Sequence, residues 1–296
     1  KVPVWMQVDP SIRRMASSYF LILYSPMLFR TANIIFGTVL RAVGDTKTPM
    51  QVGIVFNIIN IVLNFFLIYS TRTLTVCGKE LVIFGAGWGV QGAAAASAIA
   101  YTIGGIAITY KLWKHVDISP KGQSFKPDFS VLQPCLKVAI PNMFQRFATS
   151  LGYVAFASMI NSLGETATAA HTIANTVESA FYIPGWGMQT AAATLAGNAL
   201  GANDNKRLNG LAKAIMPLEV GLMIISGGLL FVFAPVLIRL FSSDASVIAL
   251  GGTVLRMVAV SEPFYGVPIV IEGMMQGVGK TVMPFVFNVA GMWGIR

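Results

Sequence analysis

Four carboxylates stand inside apolar stretches of this chain: Glu178, Glu219, Glu262 and Glu272. A charge in the middle of a membrane helix costs about 2.5 to 3.5 kcal/mol on insertion scales, so each such acid is a candidate for handling ions or substrate. Glu178 is the best framed, because His171, Asn175, Glu178 and Tyr182 recur at spacings of 4, 3 and 4 and share one helical face. Gln189 extends that stripe past IPGWG at 183–187, where a helix break is expected. Interrupted membrane helices expose backbone only where they line a cavity or pack on protein. Glu262 precedes Pro263, which frees the carbonyl of residue 259, and Pro268 adds a second weak point. A carboxyl beside such a broken helix can take up and release a proton, so Glu262 leads for ion coupling. Glu272 lies nearer a helix end, where it can snorkel or pair with Lys280, and Glu219 sits in the first third of its helix.

A second stripe of the same spacing holds Asn142, Arg146, Thr149 and Tyr153, and Arg146 could pair with Glu178 or Glu262. Gln145, Tyr265 and Asn57 complete the cation- and substrate-binding candidates. Asn57 belongs to a run with Asn60 and Asn64, with Gly53 behind it, that faces either a neighbouring helix or a cavity. Tyr153, Phe181, Tyr182, Trp186 and Met188 offer an adaptable apolar wall for a lipophilic cation.

Other chemistries find no support. The two histidines, His115 and His171, join no Cys or His cluster with metal-ligand spacing, so neither a metal nor a cofactor is expected. GVGKT at 277–281 resembles the end of a P-loop, but Met274 stands where that motif needs Gly and no strand precedes it. No nucleophile-elbow motif is present, and no enzyme is expected.

The elements that position these residues are apolar helices. Of the 296 residues 55% are hydrophobic and 11% charged, against about a quarter charged in soluble domains. Apolar runs lie at about 16–43, 49–70, 85–113, 131–163, 167–200, 210–240, 246–276 and from 282 on, each near the 20 or so residues a bilayer needs. The net charge of +9 comes from short connections rather than one basic patch, which argues against nucleic acid. With the 114–130 connection inside, the inner ends carry Arg41, Lys47, Lys111, Lys114, Lys121, Lys126, Lys137, Lys206, Arg207, Lys213 and Lys280. The outer ends carry only Lys1, Arg13, Arg14, Arg72, Lys79 and Arg239. That asymmetry follows the positive-inside rule. Cys77 and Cys135 then fall on opposite faces, and no disulfide is expected.

RAVGDTKTPM at 41–50 has a weaker copy, QGVGKTVMP at 276–284, with Gly44 and Gly279 lying 235 residues apart. Both follow a long helix and precede another, so the spacing predicts two homologous halves related by an axis along the membrane normal. Each copy reads as a turn: Gly supplies the bend, Thr46 caps the next helix and Pro49 suits its first turn. If 131–163 opens the second half, its counterpart would begin about a hundred residues before position 1, room for three more helices. The expected parent is two six-helix bundles, cut at both ends of this chain. Residues 1–113 would end the N-terminal bundle, 114–130 form a cytoplasmic linker, and 131–296 belong to the C-terminal bundle.

Four stretches carry a resemblance to a known family: LRAVGDTKTP with NIINIVLNFFLIY, FGAGWGVQGAAAAS at 84–97, NSLGETATAAHTIANTVESAFYIPGWGMQTAAATLAGNALGA at 161–202, and SEPFYGVPIVIEGMMQGVGKTVMP at 261–284. They resemble the multidrug and toxic compound extrusion (MATE) transporters, most closely the bacterial branch related to DNA-damage-inducible protein F. The resemblance implies an all-α membrane protein of two six-helix bundles, with this chain supplying about eight helices, 4 to 11. It also implies a central cavity open alternately to each side and export of cationic or amphipathic compounds against inward H⁺ or Na⁺. The protein would be a multi-pass monomer in the inner (plasma) membrane, its partners being small molecules and the lipid bilayer. A first-helix Asp implicated in proton coupling in that branch would precede position 1. The tenth-helix acid position of Na⁺-coupled relatives aligns closer to Tyr265 than to Glu262, so their Na⁺ site is not carried over. The alternatives are a flippase for a lipid-linked precursor, built on the same two-bundle plan, and a non-transporting membrane scaffold or enzyme.

Overall fold

The computed structural model describes residues 10–76, 79–122 and 128–295. The chain forms two compact units, residues 1–125 and 126–296.

In the first unit, α1 (Pro10–Tyr24) and α2 (Met27–Ala42) occupy the first apolar run. They meet at Ser25 and Pro26 with a bend of 46°. The expected single span is therefore two helices, because Pro26 has no N–H to continue the ladder. α3 (Lys47–Leu67) leads into an antiparallel hairpin, β1 (Ser70–Val76) with β2 (Lys79–Ala86), and α4 (Gly89–Trp113) closes the unit. The hairpin corrects the expected helix start at 85. STRTLTV is rich in β-branched residues, and Gly87 and Gly89, at φ 66° and 54°, make the turn that must precede α4.

Buried Gly92, Ala94, Ala96, Ala100, Gly104 and Gly105 let other backbones approach α4 closely. A Cβ at Gly105 would come 2.5 Å from the Phe29 carbonyl oxygen of α2. Leu40, Val52, Ile108 and Leu112 form the core. Asn60 donates to Ser97 Oγ at 3.2 Å and Asn64 to Asn60 Oδ1 at 3.0 Å, so this part of the Asn stripe faces α4. Asn57 is exposed and donates to the Gly53 carbonyl one turn back on its own helix, at 2.8 Å.

In the second unit, α5 (Phe129–Asn161) is followed by α6 (Glu165–Phe181) and α7 (Ile183–Gly201), then by the long α8 (Asn205–Arg239) and α9 (Ala245–Gly277). α10 (Val282–Ala290) ends in a π-helical turn, Gly291–Ile295. The break in the fifth apolar run falls at Tyr182, one residue before IPGWG: Pro184 sits in the first turn of α7, where a missing N–H costs nothing. α9 runs unbroken through Pro263 and Pro268, so the expected break is a local loss of hydrogen bonding only. Among the described residues, α3, α4, α8 and α9 are each long and apolar enough to cross a membrane, and the bent α1–α2 pair has the length and apolarity of a span only when its two helices are taken together.

The two copies of the repeated turn share one hydrogen-bond pattern. Gly44 N–H donates to Arg41 O and Asp45 N–H to Leu40 O; Gly279 N–H donates to Gln276 O and Lys280 N–H to Met275 O. Both are Schellman motifs with glycine in the left-handed region, at φ 93° and 76°. The expected threonine caps are absent. Thr46 and Thr281 make no side-chain cap, and the buried Thr281 hydroxyl finds no partner among the described residues. Asp45 instead accepts from Thr48 N–H at 3.0 Å. The Thr48 side chain and amide together hold the Asp45 carboxyl below its usual range. Cys135 is free and exposed, while Cys77 lies outside the described residues.

Candidate functional site

The second unit has an open cavity of about 600 Å³ between α5, α9, α10 and the π-helical turn. Thr149 and Tyr153 line it from α5, Tyr265, Pro268, Ile271, Glu272 and Met275 from α9, and Met283, Phe287 and Asn288 from α10. The turn is pinned to α5 at two points. Trp293 Nε1 donates to Ala148 O at 3.2 Å, and Met292 packs on Gly152, where a Cβ would meet its side chain at 2.7 Å. The volume suits a drug-sized molecule, and the wall is mainly aromatic and Met with a few polar groups.

Glu272 is the acid of this cavity. Gln145 Nε2 and Gln276 Nε2 each donate to its Oε1 at 2.9 Å, and Asn288 Nδ2 donates to Oε2 at 3.4 Å. Gln276 also reaches Asn142 Oδ1 at 3.5 Å. Four amides from three helices thus join in one network around a carboxylate, which accepts from three of them. Neither snorkelling nor the expected pairing with Lys280 occurs: Lys280 is exposed, and among the described residues the one ion pair is His115 with Asp117 at 3.9 Å. Gln145, a sequence candidate, is brought to the site, and the network explains its 5% exposure.

A second group of acids lies deeper. Glu262 on α9 and Glu219 on α8 are both 0% exposed, and no oxygen of either has a hydrogen-bond partner among the described residues. Glycines make room for them. Gly227 of α8 faces the Ala259 carbonyl freed by Pro263, and a Cβ there would sit 2.7 Å from that oxygen and 3.1 Å from Glu262 Cβ. A Cβ at Gly185 would sit 3.1 Å from Glu219 Oε1, and one at Gly266 would sit 3.2 Å from Glu219 Cγ. The carbonyl of Phe181, at the α6–α7 break, accepts from Ser226 Oγ of α8 at 2.9 Å.

The Glu178 stripe joins this group at one end. The carboxyls of Glu178 and Glu262 are near enough to interact electrostatically, and both act on the Tyr182 hydroxyl. The Tyr182 ring meets that of Tyr265 with centroids 5.2 Å apart and a 45° tilt. Tyr265 also borders the cavity, so this aromatic pair connects the Glu272 chamber to the buried carboxyls. Higher on the stripe, the His171 ring packs edge-on against Phe156 of α5 at 5.5 Å, and Asn175 is exposed. Arg146 does not join: it is exposed at the edge of the inward-facing side of α5 and makes no ion pair with Glu178 or Glu262. Asn57 belongs to the first unit.

Sequence reasoning gave Glu272 and Glu219 little weight. The pattern that marks Glu272 was present: Gln276 one turn on, and on α5 both Asn142 of the polar stripe and Gln145 beside it. For Glu219 the signal is the pair of glycines at 185 and 266, which only the fold brings together.

A family model described as MatE matches residues 4–66 and 141–296. A probable multidrug resistance protein NorM of Thermotoga maritima is 26% identical over 295 residues, covering 100% of this chain and 61% of the relative. The multidrug and toxin extrusion protein 2 of Mus musculus is 23% identical over 98% of this chain and 48% of its own length. Among solved structures, an outward-facing multidrug resistance MATE family transporter of the MOP superfamily superposes with a TM-score of 0.86 at 21% identity, over 98% of this chain and 62% of that one. A MOP superfamily transporter from Pyrococcus furiosus, described as having a binding pocket of reverse polarity, gives 0.84 at 22% identity over 96% of this chain and 61% of its own. The chain thus spans about three fifths of the first curated relative, 61% of its length.

Proposed function

The chain belongs to the MatE family of multi-pass membrane proteins, and on that premise we propose that it is the substrate- and ion-handling part of a multidrug efflux antiporter. The observation that carries this reading is the Glu272 carboxylate, held by three amides at the wall of an apolar cavity of about 600 Å³. Such a chamber suits a lipophilic cation: the carboxylate meets the charge while Tyr153, Tyr265, Phe287 and the methionines cover the apolar body.

Glu262, with Glu178 beside it, takes the coupling ion, either H⁺ or Na⁺. A buried carboxyl with no fixed partner is free to bind and release that ion as access alternates between the two sides. Tyr182 and Tyr265 lie between the acids and the cargo chamber, so a change of charge at one is felt at the other. One proton entering for each monovalent cation leaving moves no net charge, so the pH difference drives the exchange, and each pH unit of about 1.4 kcal/mol supports about tenfold accumulation of cargo.

The test is efflux of a lipophilic cationic dye from cells lacking their own pumps, expressing the full-length protein or its Glu262→Gln variant. Efflux that a protonophore and Glu262→Gln both abolish is the expected result. Dependence on Na⁺ alone replaces the proton as coupling ion. No efflux by a well-expressed protein sinks the drug-export reading and favours a lipid flippase.

A further inference from the structure

We propose that the inner-leaflet end of α4 binds one anionic phospholipid, its phosphate held by Lys114 and Lys121 and its acyl chain laid along the helix. The site lies wholly in the first unit and does not depend on what the protein transports.

The lysines are brought together by the way the helix ends. α4 is an apolar span that stops at Trp113, and Lys114 follows at once. The chain then folds back: His115 N–H donates to Leu112 O at 3.1 Å, Ser119 Oγ to Trp113 O at 2.7 Å, and Lys121 N–H to Ser119 Oγ at 3.4 Å. Lys121 thereby returns to the end of the helix it has just left. Lys114 Nζ lies 4.5 Å from the centre of the Tyr110 ring, and Lys111, Lys114 and Lys121 all act electrostatically on the Tyr110 hydroxyl.

These ammonium groups are uncompensated. Among the described residues no carboxylate pairs with any of the three, and nearby Asp117 is engaged by His115 at 3.9 Å. Asp45 is likewise held by Thr48. Three ammonium groups gather here against fewer carboxylates, none of which pairs with them among the described residues, at the face the charge asymmetry places in the cytoplasm, which is the arrangement that draws anionic headgroups.

Below the lysines is a pocket of about 370 Å³ whose remaining wall is Phe29, Ile106, Thr109, Tyr110 and Trp113. From Lys114 down to Ile106 is eight residues, roughly 12 Å of helix, so the groove descends into the hydrocarbon region. Phe29 forms its deep end because Gly105 lets α2 approach α4 to backbone contact. A free phosphate would use the lysines and leave this apolar length empty, and a cationic cargo would be repelled. An anionic phospholipid uses both parts, with Trp113 and Tyr110 at the depth where such rings favour the interface.

The experiment uses the full-length protein purified in neutral detergent and titrated with fluorescent phosphatidylglycerol. Each surface lysine contributes enough that the Lys114→Gln/Lys121→Gln double variant is expected to bind about thirtyfold more weakly. The Lys114→Arg/Lys121→Arg variant should retain binding, and Lys47→Gln, which removes a charge from the same membrane side outside the pocket, should change it less than twofold. Phosphatidylcholine and millimolar inorganic phosphate should compete poorly. Equal binding of phosphatidylcholine, or an unaltered double Gln variant, overturns the proposal. So does a loss at Lys47→Gln as large as that of the double variant, and competition by phosphate alone reassigns the lysines to a free anion.

Discussion

Replacing Glu272 by Gln separates charge from structure better than any other change at the cavity. A Gln oxygen placed at the position of Oε1 keeps both 2.9 Å bonds, from Gln145 and Gln276. Its new amide meets Asn288 Nδ2, which already donated to Oε2 at a long 3.4 Å and still donates to Pro284 O at 3.0 Å. The network loses one weak bond, about 1 kcal/mol or less, so the purified variant should melt within a few degrees of the parent. The cost falls on the cargo. A cation about 5 Å from a carboxylate gains about 3 kcal/mol at an effective dielectric of 20, and part of that repays desolvation of both charges. A net loss of about 2 kcal/mol predicts roughly thirtyfold weaker affinity for a lipophilic cation, read as the concentration dependence of dye binding or transport by the full-length protein. A neutral amphipathic dye of similar size should be affected less than threefold. Unchanged cation affinity in a folded Glu272→Gln protein, or equal loss for both dyes, would refute the cavity as a charge-selecting site. Glu272→Ala is the less informative choice, since it strands the buried Gln145 amide and mixes structural damage with lost charge.

Three further outcomes follow from the packing and the caps. A Cβ at Gly273 would collide with the Gln189 backbone and one at Gly277 with the Ala193 backbone, so either Gly→Ala change should destabilise the protein by about 1–3 kcal/mol. Gly228→Ala meets nothing within 4 Å and should gain up to about 1 kcal/mol of helix propensity; thermal unfolding that ranks these variants otherwise removes the close α7–α9 contact as an explanation. Glu219→Met replaces a buried carboxyl that has no partner among the described residues and should raise the melting temperature, whereas a fall in stability would mean that the carboxyl has a bonding role. Asp244 caps α9 by accepting from Ser246 N–H at 2.8 Å and Ser246 Oγ at 2.6 Å, and these bonds hold its carboxyl below the ordinary value of 3.8. A depressed folded value means the cap contributes fully above 3.8 and is lost as pH falls through the lower folded value, so the protection of the Ser246 and Val247 amides, taken relative to the free-peptide exchange rate at each pH, should fall below that pH and stay level from pH 5 to 7.

The parts of the fold that could be read in the residues are those set by local chemistry. Long apolar runs become helices because nothing else satisfies the backbone in lipid, and the repeated Gly-x-Thr turns do form matching Schellman motifs, since only glycine adopts the required left-handed C′ conformation without strain. What failed depended on partners that a single stretch does not reveal. STRTLTV follows directly on the apolar α3, and LVIFGA leads almost directly into the apolar α4, so the second strand read as the start of a helix rather than as the partner of the first. Thr46 looked like a cap by type and position, yet Asp45, one residue earlier, takes the Thr48 amide.

The acids show the same limit at the site. Periodicity placed Glu178 and Tyr182 on one face correctly, because a helical face depends only on spacing. Periodicity cannot say what lies opposite that face. Arg146 shares the spacing of a functional stripe but ends exposed, while its neighbour Gln145, rotated about 100° around the helix, enters the network of Glu272. Glu262 and Glu219 both reach zero exposure, and the reason in each case is a glycine on another helix. Cost of burial alone therefore ranks the four acids poorly. What separates them is their surroundings: Glu272 has three donors and a chamber in front of it, which suits holding a cargo cation, whereas Glu219 and Glu262 have packed walls and no donors among the described residues. A carboxylate that must stay charged needs permanent donors, and one that must change charge within a cycle is better left without them. That physical contrast is why we propose Glu272 as the cargo acid and Glu262 as the coupling acid.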